Sequence, residues 1–350
     1  MISEFVHTRA PHSPDVGWVG WTVSMQPHQR SRPETEAPML RLRRPADLVE
    51  AVPYLLGFHP RRSVVLVGLR PGSRSAQIGQ VGVTIRLDTA DLACDAQGAA
   101  SRLADDAARG LAGAGASRVI GVVFADAGDD PEDCGSAMQR ATRSCVAMGL
   151  EVLAFLGPEP PRDLAGVVAA QATYAGLVAR PDRAALVALL EPEATAVRER
   201  HRTAVWEALA ARSDQIAAGG RGRLHRSTMR ALYAATRTLA LADDRQLSRF
   251  GAALTDVAIR DACWLAIEAG RLDGEGLWRE LAQRLPPPYD AAPLFLFGWI
   301  RWRAGDGALA GIAVQRSLAS DPDYRAAGLL DSALRQGLDP FRTPRLRRGA

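Results

Sequence analysis

Residues 63–69, SVVLVGL, are apolar at nearly every position, whereas residues 80–88, QVGVTIRLD, alternate with Val81, Val83, Ile85 and Leu87 on one side. A continuous apolar run marks a strand covered on both faces, and a period of two marks a half-covered one. With Gly72 and Ser73 as a turn between them, the two segments form an expected hairpin. MLRL at 39–42 adds a short strand, and SRVIGVVFAD (117–126) and LEVLAFLG (150–157) repeat the signature. Helical periodicity fills 95–113 and 131–148. Strands alternating with helices of this length predict an α/β domain with a mixed, mainly parallel sheet.

Ahead of the first long strand, Pro45 suits the first position of a helix and Asp47 its positively polarised first turn. Leu48, Val49, Val52 and Leu55 form its apolar face. Pro53 and Gly57 are expected to end it, one by lacking a donor and the other by tolerating a left-handed turn. PYLLGFHP is therefore read as a helix exit and reversal that feeds the buried strand.

After GPEPPR (157–162), a proline-rich hinge, no strand pattern returns and helix follows helix to about residue 338. Residues 292–324 fit a tetratricopeptide template at Gly298, Gly305 with Asp306, Ala310, Leu318 and Asp321 with Pro322, although Phe297 and Arg301 depart from it. One such repeat cannot bury both its faces, so it is expected to cap a helical array. The expected organisation is a disordered leader at 1–38, an α/β domain at 39–160, an all-α helical domain at 161–338 with a TPR-like terminal helix pair, and a basic disordered tail at 339–350. Within the leader, Met25 offers an alternative start.

The 350 residues contain no Lys, so all 43 basic residues are Arg. This excludes a Schiff base, a P-loop lysine and a lysine general base. The net charge of +4 equals the four Arg of the last ten residues, FRTPRLRRGA, leaving a neutral body. That balance argues against nucleic acid as a partner, and the absence of a long apolar run argues against a membrane span or signal peptide. The expected location is the cytoplasm. Cys94, Cys134, Cys145 and Cys263 show no paired spacing, so neither a zinc site nor a disulfide framework follows. No motif implies a cofactor or a metal.

Two clusters carry candidate ligand-binding chemistry. His59, Arg61, Arg62 and Ser63 stand where a strand begins; Arg offers bidentate contacts to phosphate or carboxylate and His a switchable proton. The alternative is a solvated turn, favoured by position, because ligands in open α/β sheets prefer the carboxyl ends of strands. Asp126, Asp129 and Asp130 crowd the carboxyl end of the strand at 117–126, with Glu132 and Asp133 following. Such oxygens suit hard cations, but Asp130 before Pro131 is also an ordinary helix start. Cys134 in that first turn could pair with His59 as nucleophile and base. RGRLHRSTMRAL (221–232) could grip an anion or present a solvated basic side. Trp264, Trp278, Trp299 and Trp302 are read as mostly core, with some aromatic area available to line a partner groove.

RRPADLVEAVPYLLGFHPRRSVVLVGL (43–69), together with RDACWLAIEAG, LWRELAQRLPPP and FGWIRWRAGDGALAGIAVQRSLASDPDYRAAGLL, closely resembles the actinobacterial domain-of-unknown-function family 4192. The resemblance covers nearly all of 40–340 and implies a cytoplasmic actinobacterial protein with no assigned activity. The resemblance also implies that many relatives carry an insert rich in Trp, Tyr, Cys and Pro after the strand at 150–157, which this chain lacks. The leading expectation is a non-catalytic interaction or regulatory protein with a protein partner. A ligand-binding protein or metal-assisted hydrolase using the acidic loop, with a small-molecule ligand, is the alternative, and a nucleic-acid-associated factor the second.

Overall fold

The computed structural model describes residues 21–24, 39–42, 44–71, 80–157, 167–174, 177–238, 243–272, 274–340 and 343–344. The chain resolves into one unit of residues 1–186 with 333–340 and another of 187–332 with 341–350. The proposed hinge beyond Gly157, the Gly72–Ser73 turn and most of the expected leader and tail lie outside the described residues.

The first unit carries strands β1 (Trp21–Ser24), β2 (Met39–Leu42), β3 (Ser63–Arg70), β4 (Gln80–Asp88), β5 (Arg118–Phe124) and β6 (Glu151–Leu156). They form one sheet in the order β2-β1-β4-β3-β5-β6. Its helices are α1 (Pro45–Leu56), α2 (Thr89–Ala93), α3 (Ala99–Gly113), α4 (Pro131–Ala147) and α5 (Val167–Tyr174). An α/β unit with a mixed sheet followed by helices is as expected, but the mainly parallel balance is corrected. β3 is antiparallel to both β4 and β5, and parallel pairing is confined to β5 with β6 and β1 with β4. β4 and β5 do run in one direction, as the α2–α3 crossover demands, yet β3 lies between them. Periodicity reveals the direction of a crossover but not which strand occupies the gap.

Burial follows the alternation. Val64 and Leu66 of β3, Leu87, Val119 and Val123 pack with Ala104, Ala108 and Leu111 of α3 and Ala137, Ala141 and Cys145 of α4. Val65, Val67 and Leu69 point to the opposite face and are equally buried. In β5, Gly121 sits opposite Phe155 of β6, and a Cβ there would overlap the Phe155 ring. Arg70 pairs with Asp339 at 2.7 Å, which anchors the start of the expected tail on this unit.

Two local expectations change. Pro53 does not end α1; it is buried inside it, and the helix runs on to Leu56 until Gly57 turns left-handed at φ 78°. Losing one hydrogen bond and packing a buried ring is compatible with one more turn. In the segment read as leader, Trp21–Ser24 pairs antiparallel with β2.

Helix α6 (Arg183–Val187) lies in the first unit except for its last residue, and the second unit contains α7 (Thr195–Gln215), α8 (Arg221–Thr238), α9 (Asp244–Leu254), α10 (Val257–Glu268), α11 (Glu275–Arg284), α12 (Ala291–Arg303), α13 (Gly307–Ser320) and most of α14 (Arg325–Arg335). α12 and α13 form the expected helix pair, with Asp306 capping α13 through the Leu309 N–H, but the pair is not terminal because α14 follows it. Trp278, Trp299 and Trp302 are buried, Trp264 packs edge-on against Phe295 and Trp299, and so this aromatic area is core.

Candidate functional site at the carboxyl edge of the sheet

Because β3 is antiparallel to its neighbours, its first residue, Ser63, sits opposite Asp88 at the end of β4 and Phe124 at the end of β5. The amino end of β3 therefore lies among carboxyl ends, the edge where open α/β sheets take ligands. The positional objection to His59, Arg61, Arg62 and Ser63 falls, and the two candidate clusters become one place.

The approach to β3 is pinned. Gly57 accepts the Arg180 N–H at 2.9 Å and the His59 N–H donates to the Arg180 carbonyl at 2.8 Å. This holds His59 by its backbone while its imidazole faces solvent, and Pro60 next to it is buried. Arg61 then reaches Asp126 with Nη2 at 3.0 Å and Nε at 3.4 Å, a side-on double contact. Arg62, at φ 46°, places Nε 2.6 Å from Oδ1 of Asp129. A non-glycine residue in this region is strained, and its carbonyl accepts the Thr89 N–H at 2.9 Å, one of the contacts that hold it there.

Asp129 uses its other oxygen to accept the Asp126 N–H at 2.7 Å, closing the loop after β5. Asp130 caps α4, accepting the Glu132 N–H at 2.9 Å, so its carboxylate serves the helix start. Arg86, which the sequence reading passed over, pairs with Asp88, donates to the Arg61 carbonyl at 3.3 Å and lies 5.9 Å from the centre of the Phe58 ring. Its signal was an Arg two residues before an Asp on the polar side of an alternating strand. Three guanidinium groups thus meet three carboxylates. Beneath them, the Ser63 and Thr89 hydroxyls are buried without a hydrogen-bond partner among the described residues.

Cys134 is half-buried on α4, and its thiol is pushed up by burial first and then by Asp129, Asp133 and Asp130. That opposes thiolate formation, and no hydrogen bond joins it to His59 among the described residues. No group of three or more His, Cys, Asp or Glu that could hold a metal ion occurs among the described residues. No described helix is long and apolar enough to cross a membrane.

The model of the family described as domain of unknown function (DUF4192) matches residues 45–159 and 156–341. The chain belongs to the DUF4192 family. The two matched spans of this DUF4192 chain overlap at residues 156–159, beginning with the last residue of β6. No curated protein and no solved structure matches it.

Proposed function

We propose that this DUF4192 chain is a non-catalytic binding protein of the cytoplasm that receives an acidic group of a protein partner at the Arg61–Arg62 edge. The observation that carries this reading is the pairing of Arg61 with Asp126 and of Arg62 with Asp129. The Arg61 and Arg62 side chains are 69% and 66% exposed, whereas that of Asp129 is 9% exposed. The arginines are reachable from outside, and a carboxylate arriving from a partner can take over the double contact Asp126 makes with Arg61. Against the hydrolase reading, Asp126, Asp129 and Asp130 each already hold a partner, and the Cys134 thiol is disfavoured as a nucleophile.

The test uses the full chain and a fluorescent Glu/Asp-rich peptide as probe. Saturable binding at low salt that weakens about tenfold or more in the Arg61→Gln/Arg62→Gln double variant supports the reading. Equal binding by both proteins overturns it, as does turnover of p-nitrophenyl phosphate that disappears in Asp129→Asn.

A further inference from the structure

The helical unit holds a second concentration of charge that owes nothing to the sheet edge. On α8, His225, Met229 and Tyr233 form one row and Arg226 and Arg230 the row beside it, each spaced by four and hence on one helix face. With Ala262 of α10 and Arg271 in the turn after it, they line an open cavity of about 460 Å³. Its apolar part rests on the core: Met229 Sδ lies 3.9 Å from Sγ of the buried Cys263. Arg271 is placed by its N–H, which donates to the Ala266 carbonyl at 2.9 Å.

What sets the arginines of this cavity apart is that three of them share one opening; elsewhere in the unit some arginines are paired and others, such as Arg223, Arg245 and Arg279, have no ion pair among the described residues. Arg198 pairs with Asp290, Arg212 with Asp256, Arg260 with Asp261, and Arg303 with Glu268. Among the described residues, Arg226, Arg230 and Arg271 have no ion pair, and all three are exposed around the same opening. Three permanent positive charges around one opening, with no ion pair among the described residues, repel one another, and a dianion between them reduces that repulsion. The apolar floor, with the Tyr233 ring and the polarisable Met229, accepts a flat ring, and the volume falls in the range of small-ligand pockets.

We propose that this cavity binds a phosphate-bearing small ligand of mononucleotide size, with the phosphates on Arg226, Arg230 and Arg271 and a flat ring over Met229 and Tyr233. Isothermal titration of the full chain at low salt, with ADP, pyrophosphate and adenosine as probes, tests it. ADP should bind one-to-one, pyrophosphate more weakly, and adenosine not at all. Arg226→Gln/Arg230→Gln should weaken ADP about tenfold or more, and Tyr233→Leu should weaken ADP while sparing pyrophosphate. Arg223→Gln, on the same helix but outside the cavity, should change nothing. Because the arginines are exposed, the variants should keep their helical circular dichroism; if the double variant does not, Arg271→Gln alone must show the loss. No ADP binding at millimolar concentration, or binding undiminished by the cavity variants, overturns the proposal. So does binding of single-stranded oligothymidylate that Arg223→Gln weakens as much as the cavity variants do, since that describes a nucleic-acid surface.

Discussion

Arg62 Nε lies 2.6 Å from Oδ1 of Asp129, and the other oxygen of that carboxylate accepts the Asp126 N–H at 2.7 Å. The two ends of this contact are unequal. Arg62 is two-thirds exposed, so Arg62→Gln should cost less than about 1 kcal/mol in denaturant unfolding. Asp129→Ala also leaves the Asp126 N–H without its carboxylate acceptor and should cost about 1–2 kcal/mol. His59→Gln should leave stability unchanged, because that imidazole is exposed and His59 is held through its backbone. A loss in His59→Gln as large as in Asp129→Ala would refute this account of the turn.

Magnesium or manganese at millimolar concentration should leave the melting temperature unmoved, since Asp126, Asp129 and Asp130 are engaged by Arg61, Arg62 and the α4 cap. A shift abolished by Asp126→Asn/Asp129→Asn would revive the metal-assisted reading.

Two glycines should fail for different reasons. At Gly57 a Cβ meets nothing within 4 Å, so Gly57→Ala should cost only the left-handed backbone strain, about 1–2 kcal/mol. Gly121→Ala drives a methyl into the Phe155 ring and should cost about 1–3 kcal/mol. Phe155→Leu should recover part of the second loss and none of the first, as measured by chemical denaturation of the double variants.

How far the chain could be read depended on the range of the interaction. The α1 start at Pro45 and Asp47, the left-handed Gly57, the Asp130–Pro131 helix start and the β3–β4 hairpin are local and were legible. The meeting of Arg61 and Arg62 with Asp126 and Asp129 was not, because it depends on β3 entering between β4 and β5. With β3 on the other side of β4, those arginines would keep the same sheet edge but lie one strand, about 5 Å, further from the loop after β5. Trp21–Ser24 escaped because four residues amid prolines carry too short a period to register.

Buried His201 should make stability depend on pH. Its Nε2 has no partner among the described residues, and burial chiefly, with Arg284 and Arg200, holds its pKa below the ordinary 6.5 against the opposing pull of Asp244 and Glu193. The unfolded chain therefore takes up a proton first, and stability should fall as the pH drops below 6.5, by up to about 1.4 kcal/mol per unit, until the folded pKa is reached. His201→Gln should flatten this part of the profile, measured by urea unfolding across pH; an unchanged slope would assign it to other groups.

Arg198, half-buried, and the buried Asp290 pair at 2.5 Å, with Arg198 also donating to the Leu285 carbonyl at 2.8 Å and 2.6 Å. Asp290→Ala leaves a largely enclosed guanidinium without its counter-charge and should cost about 2–3 kcal/mol. Arg198→Met/Asp290→Leu should cost less than Asp290→Ala alone. The double-mutant cycle by denaturant unfolding decides this, and equal losses would show that desolvation of the pair is unimportant.

The contact of Arg70 with Asp339 closes the first unit with residues that follow the whole helical array along the chain. Gly337, in a left-handed turn, comes against the Gly110 backbone of α3 in the same unit. During synthesis on a ribosome the sheet can assemble early, yet this part of its covering arrives only after the array has been translated. The first unit is thus completed last, and a chain stopped before residue 333 carries every described strand while leaving Arg70 and Gly110 without the segment that packs on them.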